Sequence, residues 1–311
     1  MKFSHTFWMG PVLDERWALN KEKQLIGNLY YYTLSFAYLK DLKQEVYLYT
    51  DCLGYKLLDH IPYDYVSKCL DQIPSNSCPC MWAQGKMFGL KEASLDEIFI
   101  DGDVFIKDVV CLDKIKEHTK YDAFFQGKEF SEHMYLKLNT DQLSHQQKMC
   151  KEYIYWDHNV RLDLYEFPFN IPFLGKYAYN GGIVVFNNLE YKNKFLEAYF
   201  YMYDQIQKCD ISRREYIRDK NFCPDLICEQ RFLYELGKDY NVGFLLNYDE
   251  IGEDGYQTIY QQANDIKYQH VIGPYKFDQI DICKEVLKKV NFDLYLQCER
   301  KEKDILDGIF M

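Results

Sequence analysis

Two hydrophobic periods alternate along the chain. "KFSHTFWM" carries the bulky residues of a strand, "KEKQLIGNLYYYTLSFAYLKDL" places apolar residues at helical intervals, and "EVYLYTD" reads as a second strand ending in Asp51. A helical stretch at "CMWAQGKMFGLKEA" leads into the apolar strand "EIFI", and "YDAFFQG" predicts a further strand. From Lys128 to Tyr179 the periodicity weakens among prolines and rings, which predicts an irregular excursion. "GGIVVFNN" then resumes as a buried strand, "LEYKNKFLEAYFYMYDQIQ" and "DLICEQRFLYELGKD" as helices, and "YQHVIGP" as a late strand entering a loop. Strands alternating with helices predict an α/β fold with a mostly parallel central sheet flanked by helices. No repeat, low-complexity tract or linker divides it, so one domain is expected over residues 1–311.

Ligands of such sheets gather at the carboxyl ends of strands. Asp51 stands at one of those ends, and "LDEIFIDGDVFIKDV" puts Asp101 and Asp103 at another, between two apolar runs. Three readings compete for this acidic pair. Asp-Gly is a strong hairpin-turn signal, although "EIFI" and "VFI" are too continuously apolar for a hairpin with one wet face and suit a buried parallel strand. An Asp-x-Asp phosphatase would use one carboxylate as nucleophile and the other as acid/base. That motif usually closes the first strand of its chain and continues with x-Thr or x-Val, whereas Val104 and Phe105 follow here. The third reading is a divalent cation, Mn²⁺ or Mg²⁺, held by hard oxygen ligands and bridging the diphosphate of a sugar nucleotide.

Composition narrows the class of partner. Apolar residues make up 48% of the 311, and 37 Lys plus Arg against 48 Asp plus Glu give a formal charge of 37 − 48 = −11. That balance argues against nucleic acid and against broad docking on anionic lipid, so an anionic ligand needs a local basic pocket. The opening residues lack the charged-then-apolar layout of a leader, and no apolar run approaches the ~20 residues of a membrane span. Peripheral membrane contact stays open. The eleven cysteines are scattered, and Cys78 and Cys80 in "SCPC" lack zinc-ribbon spacing. Most of them read as buried thiols of a reducing, cytoplasmic compartment. The 29 Tyr and 21 Phe serve packing or, in part, stacking on sugars and bases.

Two downstream segments bear on the acidic pair. In "QHVIGPYK", His270, Gly273 and Lys276 have the spacing H-x-x-G-x-x-K, and "YNGGIVVFNN" contains Asn180-x-Gly182 before an apolar run to Asn187. In this order, Asp-x-Asp, Asn-x-Gly, acidic-Gln, His-x-x-Gly-x-x-Lys, the chain resembles the GT-A glycosyltransferases. It is most similar to family 8, the glycogenin-like and lipopolysaccharide galactosyltransferase-like enzymes. The resemblance spans Phe3 to Asp278 in outline and rests on these four motifs. Two positions depart from the pattern: Phe277-Asp278 replaces Pro-Trp, and Glu229-Gln230 replaces Asp-Gln.

The resemblance implies a Rossmann-like GT-A domain whose nucleotide-sugar half spans residues 1–127, with an acceptor-side half and C-terminal helices in 128–311. It implies Asp101, Asp103 and His270 as metal ligands and Lys276 on the diphosphate. Asp51, Lys86, Gly182 and Gly273 would line the donor, Lys86 reading equally as a solvated helix lysine. Asn180, Glu229 and Gln230 would stand near the reacting carbon. The implied reaction moves a hexose from a nucleoside diphosphate sugar, a UDP-sugar by expectation, to a hydroxyl of a glycan, glycolipid or other acceptor, with retention if family 8 is followed. A binding protein of the same fold without turnover is the rival. The excursion from Phe130 to Phe173 would shape the acceptor side, with Tyr155, Trp156 and His158 as candidates or as ordinary packing. Asn187 reads as a strand-end cap or turn.

Overall fold

The computed structural model describes residues 1–15, 19–77, 81–130, 177–208, 226–246, 261–271 and 274–310. Tyr155, Trp156, His158, Gly273 and the "SCPC" cysteines fall outside those residues.

The chain is an α/β protein built on a mostly parallel sheet. Strands β1 (Lys2–Phe7), β2 (Glu45–Thr50), β3 (Tyr65–Ser67), β4 (Ile98–Ile100), β6 (Ala123–Phe130), β7 (Tyr177–Phe186) and β8 (Val242–Leu246) lie in the order β3-β2-β1-β4-β7-β6-β8. The first four are mutually parallel and β8 is parallel to β6, while β7 runs antiparallel to both β4 and β6.

Burial on both faces explains the unbroken apolar strands. Phe3, Val46, Leu48, Ile98, Ile100, Phe124, Ile183 and Val185 join one core. Their neighbours Tyr49, Phe99, Phe125, Val184 and Phe186 join the other. Successive side chains of a strand point to opposite faces, so each face receives every second residue and neither can be polar. Against the first face packs the Lys21–Asp41 helix with the Ile280–Val290 and Phe292–Leu306 helices. The second face is covered by the Gln84–Glu92, Leu189–Lys208 and Phe232–Gly237 helices.

The Lys21–Asp41 helix starts where Asn20 Oδ1 accepts the Lys23 N–H at 2.7 Å, and it buries residues on every side. It ends at Asp41, and two residues on Lys43, with a φ of 59°, takes the left-handed conformation that terminates helices.

Two expectations are corrected. "VFI" is not a parallel strand of the main sheet: β5 (Val104–Ile106) leaves it and pairs antiparallel with β9 (Tyr268–His270) as a separate ribbon. The ends of the expected excursion are strand as well, since Lys128–Phe130 pairs with Tyr177–Tyr179 and extends the β6–β7 ladder. Their alternation was masked by Lys128 and by rings that suit either state. The helix at "DLICEQRFLYELGKD" opens as a π turn, Leu226–Arg231, before Phe232–Gly237.

Candidate active site

Asp101 and Asp103 occupy a tight turn. The Val104 N–H donates to Asp101 O at 3.0 Å, closing four residues between β4 and β5. The pair thus sits on a turn, but the hairpin reading does not hold, because β4 and β5 lie in different sheets. Gly102 does not have a positive φ. Glycine is needed there because any Cβ would run into the ring of Tyr32, whose hydroxyl donates to Thr6 O at 2.5 Å.

His270 reaches this turn through the ribbon. Val104 pairs with His270 in the β5–β9 register, and the Val271 N–H donates to Asp103 O at 3.1 Å. His270 Nε2 consequently lies 3.4 Å from Asp103 Oδ1 and 3.9 Å from Asp101 Oδ2. One donor atom from each of the three residues falls within 4.8 Å of the others, the spacing of a metal-ligand set.

Each carboxylate uses its remaining oxygen on a lysine. Asp101 Oδ1 lies 2.6 Å from Lys86 Nζ, and Asp103 Oδ2 lies 2.7 Å from Lys276 Nζ. Burial pushes the Asp103 carboxyl up, but the Lys276 ammonium and His270 more than reverse this and hold it well below the usual carboxylate range.

Lys86 is no solvated helix lysine. It is 6% exposed and also contacts Glu229 Oε1 at 2.9 Å and Gly181 O at 2.8 Å. Burial alone would lower its ammonium, yet Asp101 and Glu229 raise it above its ordinary value. Glu229, expected near a reacting carbon, is 1% exposed and bonded behind Lys86. Counted formally, the carboxylates of Asp101, Asp103 and Glu229 against the ammoniums of Lys86 and Lys276 give 2 − 3 = −1 beside the His270 ring nitrogen. The donor set thus fits a cation: two carboxylate oxygens and an imidazole nitrogen face one another, with negative charge in excess.

The Asn180-Gly181-Gly182 motif is a β-bulge. Phe125 pairs with Val184 and Gly127 with Asn180, so Gln126 alone on β6 opposes Gly181, Gly182 and Ile183 on β7. Asn180 Oδ1 accepts the Gly182 N–H at 2.8 Å, and Gly182 O accepts the Asp101 N–H at 3.1 Å. A Cβ on Gly181 would strike the Glu229 carboxylate, and one on Gly182 would strike Gln126 Oε1 and approach His270 Nδ1 to 2.6 Å. Both glycines make room for contacts that build the acidic centre.

Asp51 stands apart from this cluster as a helix cap. Its Oδ1 accepts the Gly54 N–H at 2.6 Å and its Oδ2 the Met9 N–H at 3.1 Å. Gln230 follows Glu229 in the π turn, and its buried Oε1 has no hydrogen-bond partner among the described residues. Asn187 closes the end of β7, donating to His118 O at 2.7 Å and Tyr121 O at 2.9 Å.

The sequence reading missed Gln126. Its Oε1 lies 2.8 Å from His270 Nδ1 and accepts from the Tyr268 hydroxyl at 2.8 Å. A lone amide before glycine inside the apolar run "AFFQG", matched by "GG" in the partner strand, was the available signal.

Among the described residues no helix is long and apolar enough to cross a membrane, and Cys52, Cys69, Cys111, Cys283 and Cys298 carry free thiols. No curated protein matches the sequence. A family model described as "Family of unknown function (DUF6734)" matches residues 1–296, and the chain belongs to that family.

Proposed function

We infer that this chain is a metal-dependent hexosyltransferase, moving a sugar from a nucleoside diphosphate donor, a UDP-sugar in our reading, to a hydroxyl of a glycan, glycolipid or other acceptor. The observation that carries the inference is the convergence of His270 Nε2 with one oxygen each of Asp101 and Asp103 at the carboxyl end of β4. Asp101, Asp103 and His270 would hold Mn²⁺ or Mg²⁺. Bound there, the ion would supply positive charge to the departing diphosphate.

The chain's own residues do the rest. Lys276 is a point charge on a flexible stem, able to turn from Asp103 to a phosphate oxygen. Asp101, Asp103 and Glu229 are all engaged by lysines, so none of them stands as a nucleophile. Retention would then proceed by front-face displacement, with Gln230 and Asn180 as the amides nearest the sugar. Residues 1–127 would contribute the donor half and 128–311 the acceptor half of one GT-A-like domain, in a cytoplasmic setting that suits the free thiols.

One observation favours a second reading. Lys86 and Lys276 each pair with one carboxylate of the acidic pair, which lessens the repulsion that a diphosphate would meet there without a metal. A screen of nucleotide sugars with and without Mn²⁺, scored by donor hydrolysis and thermal shift, separates the two. Metal-dependent hydrolysis supports the transferase; metal-independent binding without hydrolysis supports the binding protein.

A further inference from the structure

His270 offers its two ring nitrogens to different neighbours. Nε2 faces the carboxylates of Asp101 and Asp103, and Nδ1 lies 2.8 Å from Gln126 Oε1. A carbonyl oxygen only accepts, and this one also accepts from the Tyr268 hydroxyl at 2.8 Å, so the Nδ1 side of the ring must donate. Nδ1 therefore carries a hydrogen, and in the neutral ring the lone pair of Nε2 is the one presented to the acidic pair.

Backbone geometry fixes Gln126 in this place. The bulge on β7 sets Gln126 opposite Gly181, Gly182 and Ile183, and a side chain at Gly182 would occupy the space of the Gln126 to His270 bond. Gln126 and Tyr268 are both buried, and Tyr268 lies on β9 two residues before His270. The ring is thereby held from a strand of the main sheet while its backbone belongs to the ribbon.

We propose that Gln126 is a positioning residue that fixes His270 in the Nδ1-protonated tautomer, presenting Nε2 as a ligand beside Asp101 and Asp103. This rests on the metal reading of the site given above. Ligating histidines are generally oriented by an acceptor on the other nitrogen, and loss of that partner typically weakens metal binding about 10- to 100-fold.

The test uses the full chain, with Mn²⁺ alone as the probe. Long-range ¹H–¹⁵N spectra of the metal-free protein should report His270 with its hydrogen on Nδ1. In Gln126→Met that preference should disappear and the Mn²⁺ dissociation constant should rise about 10- to 100-fold, whereas Gln126→Glu, which keeps an accepting oxygen, should restore both. An Nε2–H tautomer in the wild type, or an unchanged Mn²⁺ constant in folded Gln126→Met, overturns the proposal. The wild-type spectrum decides even if Gln126→Met does not fold. Failure of the wild type to bind Mn²⁺ removes the metal reading instead, and the tautomer comparison then judges Gln126 separately.

Discussion

Val104 and His270 face each other across the two-stranded ribbon of β5 and β9. Val104 follows Asp103 directly, so this one register pair brings the imidazole to the acidic turn. A slip of one residue would turn His270 to the opposite face and present Gln269. The ribbon is held in turn by Ser35, whose hydroxyl donates to Val104 O at 2.7 Å and lies 3.0 Å from His5 Nε2.

UDP should raise the melting temperature only when Mn²⁺ or a similar cation is present. A ligand that binds only the folded state adds about 2.7 kcal/mol at a hundredfold excess over its dissociation constant. Scanning calorimetry with UDP in Mn²⁺ and in chelator measures this, and equal shifts in the two would sink the metal-bridged diphosphate. Lys276→Ala should weaken UDP binding more than Mn²⁺ binding, because an ammonium is a counter-charge and not a ligand.

Asp103→Asn should abolish the metal-dependent shift and any donor hydrolysis. It should also lower stability by about 1 to 3 kcal/mol, since it leaves Lys276 without its nearest carboxylate in a largely buried site. Urea titration checks the second effect. Full donor hydrolysis in this variant would return the turn to a purely structural role.

Gly181→Ala should destabilise the fold by about 1 to 3 kcal/mol by driving the Glu229 carboxylate away from Lys86. Combining it with Glu229→Asp, which withdraws the carboxylate by one methylene, should cost less than the sum of the single changes. Denaturation midpoints of the four proteins give the coupling. Strict additivity would mean that Gly181 and Glu229 do not share the space.

Stability should fall with acidification below neutral pH, before carboxylates titrate. Burial lowers His5 from 6.5 to about 3, against a partial pull from Asp103, and lowers His60 from 6.5 to about 4. His5 meets Tyr63, Ser35 and the edge of Tyr32, while His60 meets Thr33 and Cys298 with Lys301 and Asp59 nearby. The unfolded chain binds protons below pH 6.5 that the folded chain refuses, so the stabilisation is complete above 6.5 and is lost as pH falls toward 4. Each histidine should contribute a slope of up to about 1.4 kcal/mol per pH unit within that window. Urea melts between pH 7 and pH 5 measure the slope, and a flat profile would contradict neutral, buried imidazoles.

Local sequence determined the elements. Unbroken apolar runs in "EIFI" and "GGIVVFNN" required two covered faces, and the helical spacing from Lys21 to Asp41 required a buried helix. The motif residues Asp101, Asp103 and His270 could be named because their chemistry is local to each side chain. Tertiary structure alone decided that β5 leaves the sheet, that Gly181 and Gly182 form a bulge, that Asp51 caps a helix, and that Lys86 joins Asp101 to Glu229. It also brought Gln126 to His270 across 144 residues of chain. The physical reason is that periodicity records which face of an element is buried, whereas ladder register and the meeting of buried charges depend on partners remote in sequence, selected by the cost of leaving any one of them unpaired.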